Sequence, residues 1–313
     1  MKTLLRSSLT ALLFAVAGQL SAAEQCLVIG DSLTKEYEVT FPALYPANRD
    51  AWDTRNWIEI LHKERNGWFD QGRFAAYPDI RIVGHKYNWA FPGATTAEIR
   101  GYLRSSSWQH KLWQSELRGQ IKSEVERVVI SAGANDVDSW YGHVYNGTSA
   151  TNYIKATRDN LINIVDYVRS VRSTIPIVLV AVPHIGASPD VKRQYPTDSV
   201  KTARVSAALE TLNAQLASAA RTRGVAFADV YPFTKSLITA RFVIGGIEIY
   251  RTADADSRPR YAFSGDGFHP AAATQAKAAQ IIVDTFRKRW PTTNIPVLAD
   301  TEILRDVLGL LGP

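Results

Sequence analysis

Sulfur is almost missing from this chain of 313 residues, which has one cysteine, Cys26, and one methionine, Met1. A lone cysteine forms no internal disulfide, so stability has to come from a packed core. Cys26 opens the apolar run Cys26-Leu27-Val28-Ile29 and reads as a small apolar side chain. Long apolar stretches are missing too. None approaches the ~18 residues a membrane-spanning helix requires, so no stable membrane insertion is expected. There is no Lys/Arg run and no Gly/aromatic motif of the kind that binds nucleic acid. A phosphate-cradling loop and a dinucleotide fingerprint are also lacking, so no cofactor is implied. His62, His85, His110 and His143 have no partners at metal-ligand spacing, so no metal site is expected.

What is present describes an ordinary globular chain, 46% hydrophobic and 21% charged. Its amino terminus differs from the rest. Lys2 and Arg6 supply a positive start, Leu9–Val16 is apolar apart from Thr10, and Ser21-Ala22-Ala23 offers small residues for cleavage. This pattern predicts a secretory signal peptide over residues 1–23, and hence a secreted or periplasmic protein. Cleavage removes the charges of Lys2 and Arg6, lowering the formal net charge from +6 to +4. That is mild for a chain of this length.

The mature chain alternates apolar runs with helical patterns. Cys26–Ile29, Arg127–Ala132, Ile177–Val182 and Val225–Val230 read as buried strands, and Asp79–Asn88 as a half-exposed strand with Ile80 and Ile82 on one side. Lys35–Asn56 reads as a long aromatic loop. Helical spacing follows from Asn56, over Ala97–Leu117 with a break at Ser105–Ser107, and over Thr151–Arg172, Asp198–Arg223 and Ala271–Arg289. Phe242–Tyr250 reads as a hairpin around Gly245-Gly246. The alternation predicts a three-layer α/β/α domain with a parallel sheet over residues 24–290. A tail over 291–313 is expected to pack on it through a short helix between Thr301 and Leu311.

Ser32 follows the first strand run at Gly30-Asp31-Ser32-Leu33. It stands just past the carboxyl end of a strand, where ligands bind in open α/β sheets. A serine there is either a helix N-cap or a nucleophile. Three further stretches fall at strand ends or before a helix: Asn88-Trp89-Ala90-Phe91-Pro92-Gly93, Gly133-Ala134-Asn135-Asp136 and Asp266-Gly267-Phe268-His269-Pro270. Asp266 and His269 are three apart, so one turn brings both side chains to one side. Gly93, lacking a side chain, lets its N–H approach a ligand closely, and Asn135 carries an amide donor. Asp31 and Asp136 are read as ties between loops. His184, at the end of the third strand, is read as structural.

The order and spacing of the four stretches resemble the SGNH (GDSL) hydrolase family, over about Leu27 to Trp290. Ala90 and Thr34 depart from the family's usual glycine and serine. The resemblance implies a flavodoxin-like sandwich around a mostly parallel five-stranded sheet. It implies Ser32 as nucleophile, His269 as general base, Asp266 as its orienting acid, and Gly93 and Asn135 as oxyanion donors. Trp140 and Tyr141, soon after Asn135, are expected to overhang the cleft and bind substrate, with Trp89 and Phe91 flanking Gly93. The function expected is an exported serine esterase acting on carboxylic esters, with an acetylated carbohydrate as the first choice. The alternatives are a short-chain lipid or aryl esterase, an acyltransferase using the same triad, and a binding module on a dead scaffold.

Overall fold

The computed structural model describes residues 23–37, 39, 54–253 and 259–312. The expected leader, apart from Ala23, and most of the expected aromatic loop lie outside these residues.

Five short strands, buried almost throughout, make the central sheet: β1 (Cys26–Gly30), β4 (Asn88–Ala90), β5 (Arg127–Ser131), β6 (Ile177–Val180) and β7 (Ala226–Ala228). Their order is β4-β1-β5-β6-β7, and every pair is parallel. Strands covered on both faces need apolar residues at successive positions, which is why they stand out in the sequence as unbroken runs. The first strand lies inside the sheet, between the second and third of this set. The chain order therefore reverses across β1 and β5, and the crevice at their carboxyl ends is a natural ligand site.

The helices, in chain order, are α1 (Trp57–Glu64), α2 (Thr96–Arg104), α3 (Trp108–Ser123), α4 (Ala134–Tyr145), α5 (Thr151–Val171), α6 (Pro189–Gln194), α7 (Ser199–Thr222), α8 (Tyr231–Ser236) and α9 (Ala272–Arg289). α2, α5 and α7 pack side by side on one face of the sheet, and α1 with α9 on the other. Capping boxes start two of them, Asn56 with Glu59 at α1 and Thr95 with Glu98 at α2. Among the described residues no helix is long and apolar enough to cross a membrane.

Smaller pieces decorate this frame. β2 (Phe74–Ala76) pairs antiparallel with β3 (Val83–His85). β8 (Phe242–Ile244) and β9 (Ile247–Ala253) form the expected hairpin, and β10 (Tyr261–Phe263) adds to β9. After α9, Ile295, Leu298, Ile303, Leu304 and Leu308 are buried, and Glu302 holds Arg65 at the end of α1 with two hydrogen bonds.

The strand expected over Asp79–Asn88 is corrected. Residues 79–82 form a tight turn closed by Ile82 N–H donating to Asp79 O at 3.0 Å, and strand pairing begins only at Val83. Ile82 has a φ of 54° and is 64% exposed, so it shares no buried face with Ile80. The turn brings the buried Arg81 guanidinium onto the Asp79 carboxylate, between the rings of Tyr77 and Trp89. A buried guanidinium demands such a partner, and that demand overrides a weak apolar alternation.

Candidate active site

The turn after β1 carries Ser32, and the turn after β5 carries Asn135. One buried carboxylate links the two. Asp31 accepts from Leu33 N–H at 3.0 Å and from Gly133 N–H at 3.2 Å. Burial pushes the Asp31 carboxyl up to about 6, against the pull of these backbone donors. Gly133, the N-cap of α4, has a φ of 116°, and a Cβ there would lie 2.9 Å from the Val182 side chain. Glycine is required at that corner for both reasons.

His269 arrives from the other end of the chain, on the loop between β10 and α9. Its Nε2 is 3.0 Å from Ser32 Oγ across a sequence separation of 237 residues. Both residues are buried. Nδ1 makes a close hydrogen-bond contact with Asp266 Oδ2. The other oxygen of that carboxylate accepts from the backbone N–H groups of Phe268 at 2.9 Å and His269 at 3.0 Å. Burial works to raise the Asp266 pKa, but the imidazole and these N–H donors outweigh it and leave the carboxyl below its usual value. A carboxylate on Nδ1 fixes the tautomer, so the Nε2 lone pair points at the serine hydroxyl. Such a set can take a proton from the hydroxyl as it attacks an electrophile.

Gly93 lies in the turn between β4 and α2, with a φ of 77° and an exposed backbone. A side chain would be strained at that φ, and none is there to obstruct the N–H. Asn135 Nδ2 donates to Ala94 O at 3.0 Å, which ties the start of α4 to this turn. An amide NH₂ has a second hydrogen, which this bond does not use. Asp136 accepts from Thr96 N–H and Oγ1 at 2.8 and 2.6 Å, so it and Asp31 both tie loops as expected.

The expected aromatic rim is corrected. Trp140 and Tyr141 are 1% and 2% exposed and belong to the core. Trp140 stacks on Tyr153, and Tyr141 packs among Tyr145, His184 and Tyr195. The reason lies in helix phase: Val137, Trp140, Tyr141 and Val144 recur at the spacing of one buried stripe of α4. Trp89 is buried as well, donating to Gln120 Oε1 at 2.7 Å, while Phe91 is half-buried against Tyr102. His184 is buried with Nε2 3.1 Å from Ser206 Oγ.

Three further residues pack around the centre. Tyr37 is fully buried with its ring 6.1 Å from the His269 ring, and its hydroxyl accepts from Gln275 Nε2 at 2.7 Å. Ser264 Oγ lies 2.9 Å from both Asp266 Oδ1 and His269 O. Only Ser264 has a local hint, since a serine two residues before an aspartate favours a side-chain turn. Among the described residues, Glu64, Glu302 and Asp306 are the one group close enough to share an ion. Arg65 already occupies Glu302.

The sequence model of the GDSL-like lipase/acylhydrolase family matches residues 28–277. Two solved structures with the same fold are an extracellular lipase from Streptomyces rimosus and the lipase Lip_vut3 from a goat rumen metagenome. The first is 16% identical with a TM-score of 0.50, covering 84% of this chain and 100% of its own. The second is 12% identical with a TM-score of 0.50, covering 84% and 97%. No curated protein matches the chain. With a family match spanning β1 to α9, the chain belongs to the GDSL-like lipase/acylhydrolase family and is a carboxylic ester hydrolase.

Proposed function

We propose that the protein is an exported serine esterase working through an acyl-enzyme at Ser32. The observation that carries this reading is the 3.0 Å approach of His269 Nε2 to Ser32 Oγ, with Asp266 behind the imidazole. Ser32 Oγ attacks the ester carbonyl carbon while its proton passes to Nε2. The oxyanion is met by the N–H groups of Ser32 and Gly93 and by Asn135 Nδ2, each donor contributing about 2.7–4 kcal/mol. The tetrahedral adduct collapses, and the departing alcohol oxygen takes the proton from Nε2. Water then gives a proton to His269 and attacks the acyl-serine carbonyl. The second adduct collapses, Ser32 Oγ takes the proton back from Nε2, and the acid leaves.

Export is supported by the charged start, the short apolar run and Ser21-Ala22-Ala23. Amino-terminal sequencing of protein made in a secreting host is expected to begin at Glu24. With Trp140 and Tyr141 in the core, a sugar substrate has no aromatic platform on α4 to support it. Support for a hydroxyl-bearing substrate comes instead from Asp138, argued below.

The test is turnover of p-nitrophenyl acetate by the chain and by Ser32→Ala, with a fluorophosphonate probe to locate the reactive group by mass. Ser32-dependent turnover and a probe adduct on Ser32 are expected. If no short acyl ester is turned over through Ser32, the chain is a binding module on this scaffold. If an acceptor sugar makes transfer outrun hydrolysis, it is an acyltransferase.

A further inference from the structure

Asp138 stands one helical turn beyond Asn135 on α4. At 100° per residue the two side chains are about 60° apart, so they share a side of the helix. Gly142 continues that side. A Cβ added at Gly142 would run into the hydroxyl of Tyr195, the residue that ends α6. This side of α4 therefore faces α6. α6 is in turn tied to the loop that carries Asp266 and His269, through Asp190 N–H donating to Gly267 O at 3.0 Å. Asp138 thus follows Asn135 on the side of α4 that turns toward α6, the element tied to the His269 loop. The raised pKa of Asp138, from burial first and the charge of Asp190 second, agrees with that placement.

Two ordinary roles for such a carboxylate do not apply. Asp138 is the fifth residue of α4, past the first turn where an acid complements the helix dipole. Asp190 is occupied by Arg193 and Gln194, whereas Asp138 has no hydrogen-bond or ion-pair partner among the described residues. The carboxylate is partly covered but still reached by solvent, so it is free to accept from a bound molecule.

In the esterase reading, on which this inference rests, the alcohol oxygen must face His269 Nε2 to receive its proton. The alcohol portion of the ester therefore lies toward the His269 loop and α6, the wall that Asp138 faces. We propose that Asp138 recognises hydroxyl groups on the alcohol portion, so that the substrates are esters of polyols or sugars. A carboxylate offers two oxygens to a pair of neighbouring hydroxyls, and hydrogen bonds to a charged acceptor are stronger than neutral ones. An apolar alcohol would desolvate the same carboxylate without replacing its water.

The experiment compares a mono-acetylated methyl xyloside with cyclohexyl acetate, a ring of similar size without hydroxyls. The readout is the ratio of their kcat/KM values in the native chain, Asp138→Ala and Asp138→Asn. Titration with the fluorophosphonate counts active enzyme in each preparation, so a poorly folding variant does not distort the ratio. The native ratio is expected to favour the xyloside. It is expected to fall about tenfold in Asp138→Ala, mainly through KM, and by less in Asp138→Asn. A native enzyme without that preference, or a ratio unmoved in both variants, overturns the inference and leaves the esterase reading standing. A preference seen with acetylcholine and not with the xyloside overturns the hydroxyl assignment in favour of charge. If p-nitrophenyl acetate is turned over through Ser32 and neither of these esters is, the inference is overturned; if p-nitrophenyl acetate is not turned over either, the esterase reading itself has failed.

Discussion

Two serine–histidine pairs are found at the carboxyl ends of this sheet, and their geometry is nearly the same. His269 Nε2 is 3.0 Å from Ser32 Oγ, and His184 Nε2 is 3.1 Å from Ser206 Oγ. The difference lies on the other ring nitrogen. In His269, Nδ1 faces the Asp266 carboxylate, so Nδ1 carries the proton and Nε2 offers a lone pair. In His184, Nδ1 accepts from Gly186 N–H at 3.0 Å, so Nε2 carries the proton and donates to Ser206. One imidazole is set to receive a proton from its serine and the other to give one. Proximity of the two residue types is a poor guide to reactivity, because the third partner decides the tautomer.

The largest expected effect separates the two serines. Ser32→Ala should cut kcat by about 10⁶-fold, whereas Ser206→Ala should leave kcat/KM within about twofold, both read with p-nitrophenyl acetate. A large loss at Ser206 would make the pairs equivalent and break the comparison. Next comes the group that sets the tautomer. On the proposed mechanism Asp266→Ala should cost about 10⁴-fold in kcat, roughly a hundredfold less than Ser32→Ala, since there the carboxylate orients and does not react. Equal losses at Ser32 and Asp266 would count against that division of roles. Asn135→Ala should lower kcat by about 10²–10³-fold with KM little changed, as expected for a donor engaged mainly in the transition state.

The smallest effect concerns stability and belongs to His184. Burial, then the charge of Lys235, hold its pKa down to about 4, below the ~6.5 of an unfolded chain. The unfolded state therefore binds more protons between these values. The contribution is complete above pH ~6.5 and is lost as pH falls toward 4, with a span of about 3 kcal/mol. Asp31 acts in the opposite sense. Its folded pKa is raised, so its contribution is complete below ~4 and is lost as pH rises to about 6. The two terms overlap, so the measurement is a difference. Denaturant unfolding of the native chain minus that of His184→Asn should show the acid-side loss, and a flat difference would remove His184 as its source.

The fold was legible wherever one simple demand acted alone. Val128–Ile130 and Ile177–Val180 are covered on both faces, so their sequence is nearly uniform and their place in a parallel sheet follows. For Trp140 and Tyr141 aromatic identity points to a cleft rim while helix phase points inward, and the stripe with Val137 and Val144 assigns them to the core. Over Asp79–Ile82 a buried charge pair two residues apart sets the backbone, and periodicity cannot express that. Around Ser32, the four short stretches locate the turns but say nothing of Tyr37 or Gln275. The Gln275–Tyr37 hydrogen bond and the Tyr37–His269 ring contact join residues more than 230 positions apart, and exist only once the chain is folded.

The Asp31 bridge has a consequence for how the cleft could adapt to other substrates. One carboxylate fastens the Ser32 turn to the first residues of α4, so half of the pocket behaves as a single rigid jaw. Room for a bulkier ester must then come from the facing side at α6, because the Phe268–His269 loop is itself pinned by Asp266 and Ser264. Attempts to broaden the enzyme's range should find tolerant positions there, and should meet resistance along the stretch that the aspartate pins.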